Sequence, residues 1–155
     1  MINKDLLQDI IENGNEEEQQ LINLALKAIE RKREKNTIYL SSFLDFTYEL
    51  PEEDYIELTF PMSPFLLNSL GIIHGGITAT IMDTTMGTLV TKSLKRQCVT
   101  TEMKINYLKP GKGKNFTAKA IFLHKGKTQC VVECKVYNDE NILIAASTGT
   151  FFLIE

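Results

Sequence analysis

The sequence predicts an α+β domain in which an antiparallel sheet wraps around one long apolar helix, preceded by a helical extension. Three observations predict it. Apolar residues recur at helical spacing up to about Lys35, extended runs with alternating polarity follow, and one helical stretch from about Gly75 to Leu94 separates two strands from four. Strands grouped on either side of a single long apolar helix form the pattern of an antiparallel sheet that buries one face against that helix.

The elements follow in order. In "EEEQQLINLALKAIERKREK", Leu21, Leu24, Ala25, Ala28 and Ile29 fall on one helical face, with Glu leading and Lys or Arg trailing as the helix dipole favours. Its basic end reads as a solvated helix terminus, because the preceding "EEE" cancels its field. Residues 1–38 are assigned to this N-terminal helical extension and 39–155 to the sheet-bearing domain. From Tyr39 the pattern turns extended. "FLDFTYEL" and "YIELTF" alternate around "PEED", where Pro51 marks a hairpin turn. After the helix come "CVTTEMKINYL", "NFTAKAIFLH", "TQCVVECKVYN" and "ILIAASTGTFFLI", joined by "KPGKGK", "KGK" and "DEN", turn chemistry that pairs neighbours antiparallel.

With 155 residues, 43% of them hydrophobic and 24% charged, the chain supports one core. A net charge of -3 offers no global field for phosphate backbones, so no nucleic-acid partner is expected. Apolar runs such as "FFLI" fall far short of the roughly 20 residues of a membrane span, and the N-terminus lacks the basic start and apolar core of a secretory signal. A cytoplasmic protein with no membrane partner is expected. Cys98, Cys130 and Cys134 form no CxxC pair and have only two histidines to help them, so no metal site is expected. They read as small buried hydrophobes in a reducing compartment.

The stretch "NSLGIIHGGITATIMDTTMG", Asn68 to Gly87, carries the candidate chemistry. A glycine pair at the start of a helix leaves unpartnered N–H groups open to a close ligand, which suits an oxyanion hole, a static anion site or simply a tight turn. Asp83 shares a small, apolar helical face with Gly76, Ala79 and Gly87, and no Lys or Arg stands between Asn68 and Thr91. A carboxylate there is poorly solvated and pushed toward useful basicity, unless donors reach it from elsewhere. Asn68 fits a turn former or a polar site residue, and His74 a structural histidine or an acid–base group. His74 and Asp83 are nine residues apart, half a turn out of phase on a helix, so they do not converge within one chain.

The spacing of Asn68, Gly71, His74, Gly75, Gly76, Ala79 and Asp83 resembles that of the hotdog-fold acyl-CoA thioesterases of the phenylacetic-acid-degradation type. The likeness continues through "VTTEMKINYLKPGKGK" and the last two strands, covering roughly Phe43 to Ile154. It implies a hotdog fold, a homodimer whose sheets join edge to edge, two such dimers in a homotetramer where they associate further, and active sites at the subunit interface. It implies hydrolysis of acyl-CoA, with coenzyme A entering only as part of the substrate and no other cofactor. By the same likeness Asp83 is the general base or the nucleophile, Gly75 supplies the oxyanion N–H, and Asn68 orients water or thioester. His74 holds the Asn68 loop or touches the carbonyl, and Thr100, or its neighbour Thr101, positions the water. Asp83 is expected to face Asn68 and His74 of the other subunit.

A thioester carbonyl is electrophilic enough for one base and one oxyanion donor to suffice. Ile72, Ile73 and Met86 offer hydrocarbon for an acyl or aryl group, or are ordinary core. Gly76 is expected to contact the substrate. For the phosphates, Lys109, Lys112 and Lys114 cluster in "LKPGKGKN" and Lys125 and Lys127 in "HKGKT", two basic turns that either flank a nucleotide or solubilise the surface. The rival readings are a non-catalytic acyl-CoA-binding regulatory module, which needs no Asp83, and a dehydratase, which uses a histidine base.

Overall fold

The computed structural model describes residues 2–35 and 38–154 and divides into two compact units. The first, Met1–Phe46 with Ser63–Phe65, holds helices α1 (Lys4–Asn13), α2 (Glu16–Lys35) and α3 (Tyr39–Phe43). Each long helix starts on a side-chain cap. The Asn3 amide oxygen accepts the Leu6 N–H at 3.1 Å, and Asn15 and Glu18 form a reciprocal capping box, with N–H to oxygen distances of 2.9 and 3.0 Å. Glu16, Glu17 and Glu18 occupy the first turn of α2 and Lys32, Arg33 and Lys35 its last, as the dipole favours. Ala28, at the centre of the predicted apolar face, is buried.

The extended reading from Tyr39 holds only from Thr47. Tyr39–Phe43 forms a helical turn in which the Ser42 hydroxyl returns to the Ile38 carbonyl at 3.2 Å, and Asp45 takes a left-handed φ of 54° before the strand begins. In "FLDF" alternating polarity belongs to a short helix and a turn, which over four residues look the same as a strand.

The second unit, Thr47–Met62 with Leu66–Glu155, is a six-stranded antiparallel sheet packed against helix α4 (Gly75–Leu94). Its strands are β1 (Thr47–Glu52), β2 (Tyr55–Pro61), β3 (Cys98–Tyr107), β4 (Asn115–Lys125), β5 (Gln129–Asn138) and β6 (Leu143–Leu153), in spatial order β1-β2-β4-β5-β6-β3. This is the predicted hotdog architecture, and the chain order of helix and strands is the one the sequence predicts. The expected pairing across "KGK" and "DEN" forms, but that across "KPGKGK" does not, because β3 crosses to the far edge and pairs with β6 instead of β4. One sheet face alternates into the core: Ile56, Leu58 and Phe60 from β2, Phe116 and Ala118 from β4, Val132 and Cys134 from β5, Ala145 and Phe151 from β6. Against them α4 buries Ile81, Met82, Met86, Leu89 and Val90. Threonines fit within this helix because their hydroxyls return to carbonyls one turn back. Thr85, fully buried, donates to the Ile81 carbonyl at 2.7 Å.

Cys130 and Cys134 point into this core and Cys98 is half-buried, as expected of small hydrophobes. Burial pushes the Cys134 thiol far up. Burial also raises Cys98, opposed by its hydrogen bond with Thr91. Met86 is also core, fully buried beneath Ser147, and is not available to a ligand.

Candidate active site

The first turn of α4 is held from several sides. His74 is the N-cap, with extended backbone, and its Nδ1 accepts the Gly76 N–H at 2.9 Å, so a neutral His74 carries its proton on Nε2. The His74 N–H donates to the Leu66 carbonyl at 2.7 Å and the Ile73 N–H to the Gly111 carbonyl at 3.1 Å, fixing the approach to the helix. Gly76 therefore has its N–H engaged. The Gly75 and Ile77 N–H groups receive no acceptor among the described residues, and of the two residues it is Gly75 that lines the cavity beside this turn.

Asn68 organises the preceding loop. Its side-chain oxygen accepts the Leu70 N–H at 2.9 Å and, longer, the Ile72 N–H at 3.4 Å, while its backbone N–H reaches the Ile72 carbonyl at 2.9 Å. Gly71 sits at φ 68°, where only glycine is relaxed, and lets this loop close. The turn-forming reading of Asn68 is realised, and its amide nitrogen makes no hydrogen bond among the described residues.

Asn68 and Gly75 line one cavity of about 370 Å³, together with Ile72, Ile73, Thr78, Tyr107, Lys109 and Ile144. Its walls mix apolar side chains, Ile72, Ile73 and Ile144, with the polar groups of Asn68, Thr78, Tyr107 and Lys109. Ile72 and Ile73 stand in its wall as the sequence suggests. Tyr107 was not legible as a site residue: its hydroxyl donates to the Gly75 carbonyl at 2.8 Å, and its one sequence signal is an aromatic at the end of a strand, just before a proline turn.

Asp83 lies two turns further along α4, half-buried on a strip with Ala79, Thr80, Gly87 and Thr88 that the sheet does not fully cover. It is not unpartnered, because the Thr100 hydroxyl donates to its Oδ1 at 2.7 Å. The register between Thr100 and Thr101 is set by a bulge in β3, where Thr100 pairs with Phe151 and Glu102 with Thr150. Thr101 turns away, and its hydroxyl donates to the Thr150 carbonyl at 3.1 Å. Thr100 is thus the hydroxyl that meets Asp83.

The structure brings Asn68, His74, Gly75 and Gly76 together at one end of α4, and Asp83 with Thr100 at another place on it. It does not bring the lysines together. Lys112 precedes β4, Lys125 is its last residue and Lys127 follows it, so the length of that strand, roughly 35 Å, separates the two turns. Lys125 is held by Asp54 at 2.5 Å, an ion pair that raises its affinity for the proton. Lys127 lends its carbonyl to Arg96 at 2.8 Å, and the Lys112 carbonyl accepts from Asn138 at 2.8 Å. The lysine in the cavity wall is Lys109. Among the described residues no three His, Cys, Asp or Glu side chains lie together as a metal site.

Comparison with known proteins adds to this geometry. Residues 70–145 match the family described as Thioesterase superfamily, a span that contains both ends of the site on α4. The medium/long-chain acyl-CoA thioesterase YigI of Escherichia coli K12 is 26% identical over 127 residues, covering 71% of this chain and 82% of that protein. The crystal structure of the BH2602 protein from Bacillus halodurans, determined with CoA, is 35% identical with a TM-score of 0.85, covering 94% of this chain and 98% of that one. The E. coli PaaI protein from the phenylacetic acid degradation operon shares the fold at 22% identity and a TM-score of 0.73, over 85% of this chain and 96% of that one.

Proposed function

The chain belongs to the thioesterase superfamily and is a thioester hydrolase, and we propose that it cleaves acyl-CoA to free acid and coenzyme A in a site shared by two copies of the chain. One observation carries the shared site. Gly75 and Asp83 are eight residues apart on one helix, about 12 Å along its axis, whereas a carbonyl held by one and a water held by the other must meet within bonding distance. A second copy that presents its own Asp83 strip to the Gly75 end closes that gap. β3 supports this arrangement: it is a ten-residue edge strand, mostly exposed, and it carries both Thr100 and Tyr107. Edge strands of that length have open N–H and C=O groups suited to pairing with another chain.

In this reading Asp83 acts as general base. It takes a proton from a water steadied by Thr100, the hydroxide adds to the thioester carbon, and the oxyanion rests on the Gly75 N–H. Collapse breaks the C–S bond and the proton passes to the departing thiolate. Asn68, which lines the cavity, orients the thioester through its unengaged amide nitrogen. His74 keeps the first turn in shape. Lys112, in the loop that also carries Lys109 and Gly111 of the cavity wall, is the phosphate contact of this reading, whereas Lys125 and Lys127, at the far end of β4, are not among the residues that line that cavity. The CoA-bound relative and the acyl-CoA thioesterase relative support the substrate class. We place the reaction in the cytoplasm; among the described residues no helix is long and apolar enough to cross a membrane.

A thiol-release assay over short, medium, long and aromatic acyl-CoAs tests this, with turnover of at least one class expected. Tight binding of a CoA ester without turnover of any would replace hydrolysis with the binding-module reading. Sedimentation separates a homodimer from a homotetramer, and a fully active monomer would overturn the shared site.

A further inference from the structure

We propose that Tyr107 is a positioning residue for the oxyanion donor: by gripping the Gly75 carbonyl it fixes the direction in which the Gly75 N–H points. The inference rests on the thioesterase reading above and adds to it a residue outside the motif.

A helix that opens on two glycines starts loosely, because neither residue has a side chain to restrict its backbone. An oxyanion donor, by contrast, stabilises charge only if it is aimed before the charge develops. The structure resolves this conflict with tethers on both peptide planes that meet at the Gly75 Cα. The plane between Gly75 and Gly76 is held at each end, its carbonyl by the Tyr107 hydroxyl at 2.8 Å and its N–H by His74 Nδ1 at 2.9 Å. The plane between His74 and Gly75 is held at its carbonyl, which accepts the Thr78 N–H at 3.0 Å and the Thr78 hydroxyl at 3.3 Å. With these groups occupied, the Gly75 N–H is the group left pointing outward, and its direction is set by the other three.

Of these tethers, Tyr107 alone comes from outside the helix and its cap. The hydroxyl arrives from the end of β3, 32 positions away, and the ring lies over Gly75 at about 3.5 Å from where a β-carbon would stand. The same side chain lines the cavity beside Gly75 and Asn68. Tyr107 therefore couples the sheet edge to the donor, so that the aim of the N–H is fixed relative to β3, the strand that also holds Asp83 through Thr100.

Tyr107→Phe removes the hydroxyl and keeps the ring. With the wild-type protein hydrolysing an acyl-CoA as the reference, kcat is expected to fall roughly five- to tenfold, the size of one lost hydrogen bond, with KM and melting temperature nearly unchanged. A residue that merely supports the fold would instead lower the melting temperature, or raise KM together with any loss of kcat. Tyr107→Leu, which removes ring and hydroxyl, is expected to lose kcat further and some stability as well. If Tyr107→Phe keeps the wild-type kcat, the positioning role is wrong while the thioesterase reading stands. If the wild type itself turns over no thioester, the underlying reading has failed, and this proposal fails with it.

Discussion

The Thr100 hydroxyl, on β3, donates to Oδ1 of Asp83, on α4, at 2.7 Å. The bond joins two positions 17 residues apart in the sequence, with the rest of α4 and a short loop between them, and it gives one carboxylate oxygen a fixed partner. Oδ2 receives no partner among the described residues and is the oxygen free to take a proton from water. Thr100 is itself exposed, so the pair is reachable from solvent or from a second chain.

Asp83→Asn is therefore expected to lower kcat by about a thousandfold, within the usual worth of a positioned base, while leaving the fold intact. Thr100→Val removes one hydrogen bond to a charged group and is expected to cost roughly tenfold. Thiol release measured beside circular dichroism checks both. Full activity in Asp83→Asn would move the base elsewhere.

His74 caps α4 through Nδ1, so the stability it provides depends on an acceptor at that position. His74→Ala is expected to lose about 1 kcal/mol, and His74→Asn to keep most of it, since asparagine is among the best N-caps. Urea unfolding of the two variants measures the difference. Equal loss in both would mean that the cap contributes nothing.

The helical motif was legible because its spacing survives in one element: Asn68, His74, Gly75 and Asp83 lie along a loop and a single helix, where residue separation translates directly into position. The sheet was legible from alternation in β2, β4 and β5. What depended on pairing was not. The bulge at Thr100 decides which of two threonines meets Asp83, and Tyr107 reaches Gly75 only because β3 runs beside α4. Whether the two lysine turns flank one nucleotide was not legible either, since that depends on strand length in space: β4 places Lys112 and Lys125 at its opposite ends.

Gly111 sets one wall of the cavity. A β-carbon there would stand 2.0 Å from Ile73 Cγ2, while the Gly111 carbonyl already holds the Ile73 N–H at 3.1 Å. Gly111→Ala must therefore displace the residue that leads into His74, at an expected cost of about 1–3 kcal/mol. Thermal melting would show it, together with reduced turnover as the first turn of α4 shifts. An unchanged melting temperature would mean that the Ile73 side chain moves aside freely.

The thiols provide a test of burial. Desolvation raises both Cys134 and Cys98 above the ordinary thiol range near 8.5, so both remain neutral at pH 8 in the folded protein. Because the folded values are the higher ones, the unfolded chain ionises first on raising the pH. The associated stability is complete below the ordinary thiol range and is lost as pH climbs above it. Iodoacetamide at pH 8 is expected to leave Cys134 unmodified, to label half-buried Cys98 slowly, and to label both in urea. Rapid labelling of Cys134 in the folded state would contradict its burial.

The sharpest test of a site shared between chains is complementation. Asp83→Ala and Asn68→Ala each remove one side of the proposed site, so each homodimer should be inactive. Random reassortment of equal amounts makes half of the dimers mixed, and each mixed dimer has one site whose Asp83 and Asn68 are both intact, because they come from different chains. Roughly a quarter of wild-type activity is then expected to return on mixing. If Asp83 worked with the Asn68 of its own chain, every site in the mixed dimer would still contain a defect and mixing would restore nothing. The eight-residue spacing of Gly75 and Asp83 along α4 favours the first outcome, because on one rigid helix no side-chain rotation brings the donor and the base to the same carbonyl.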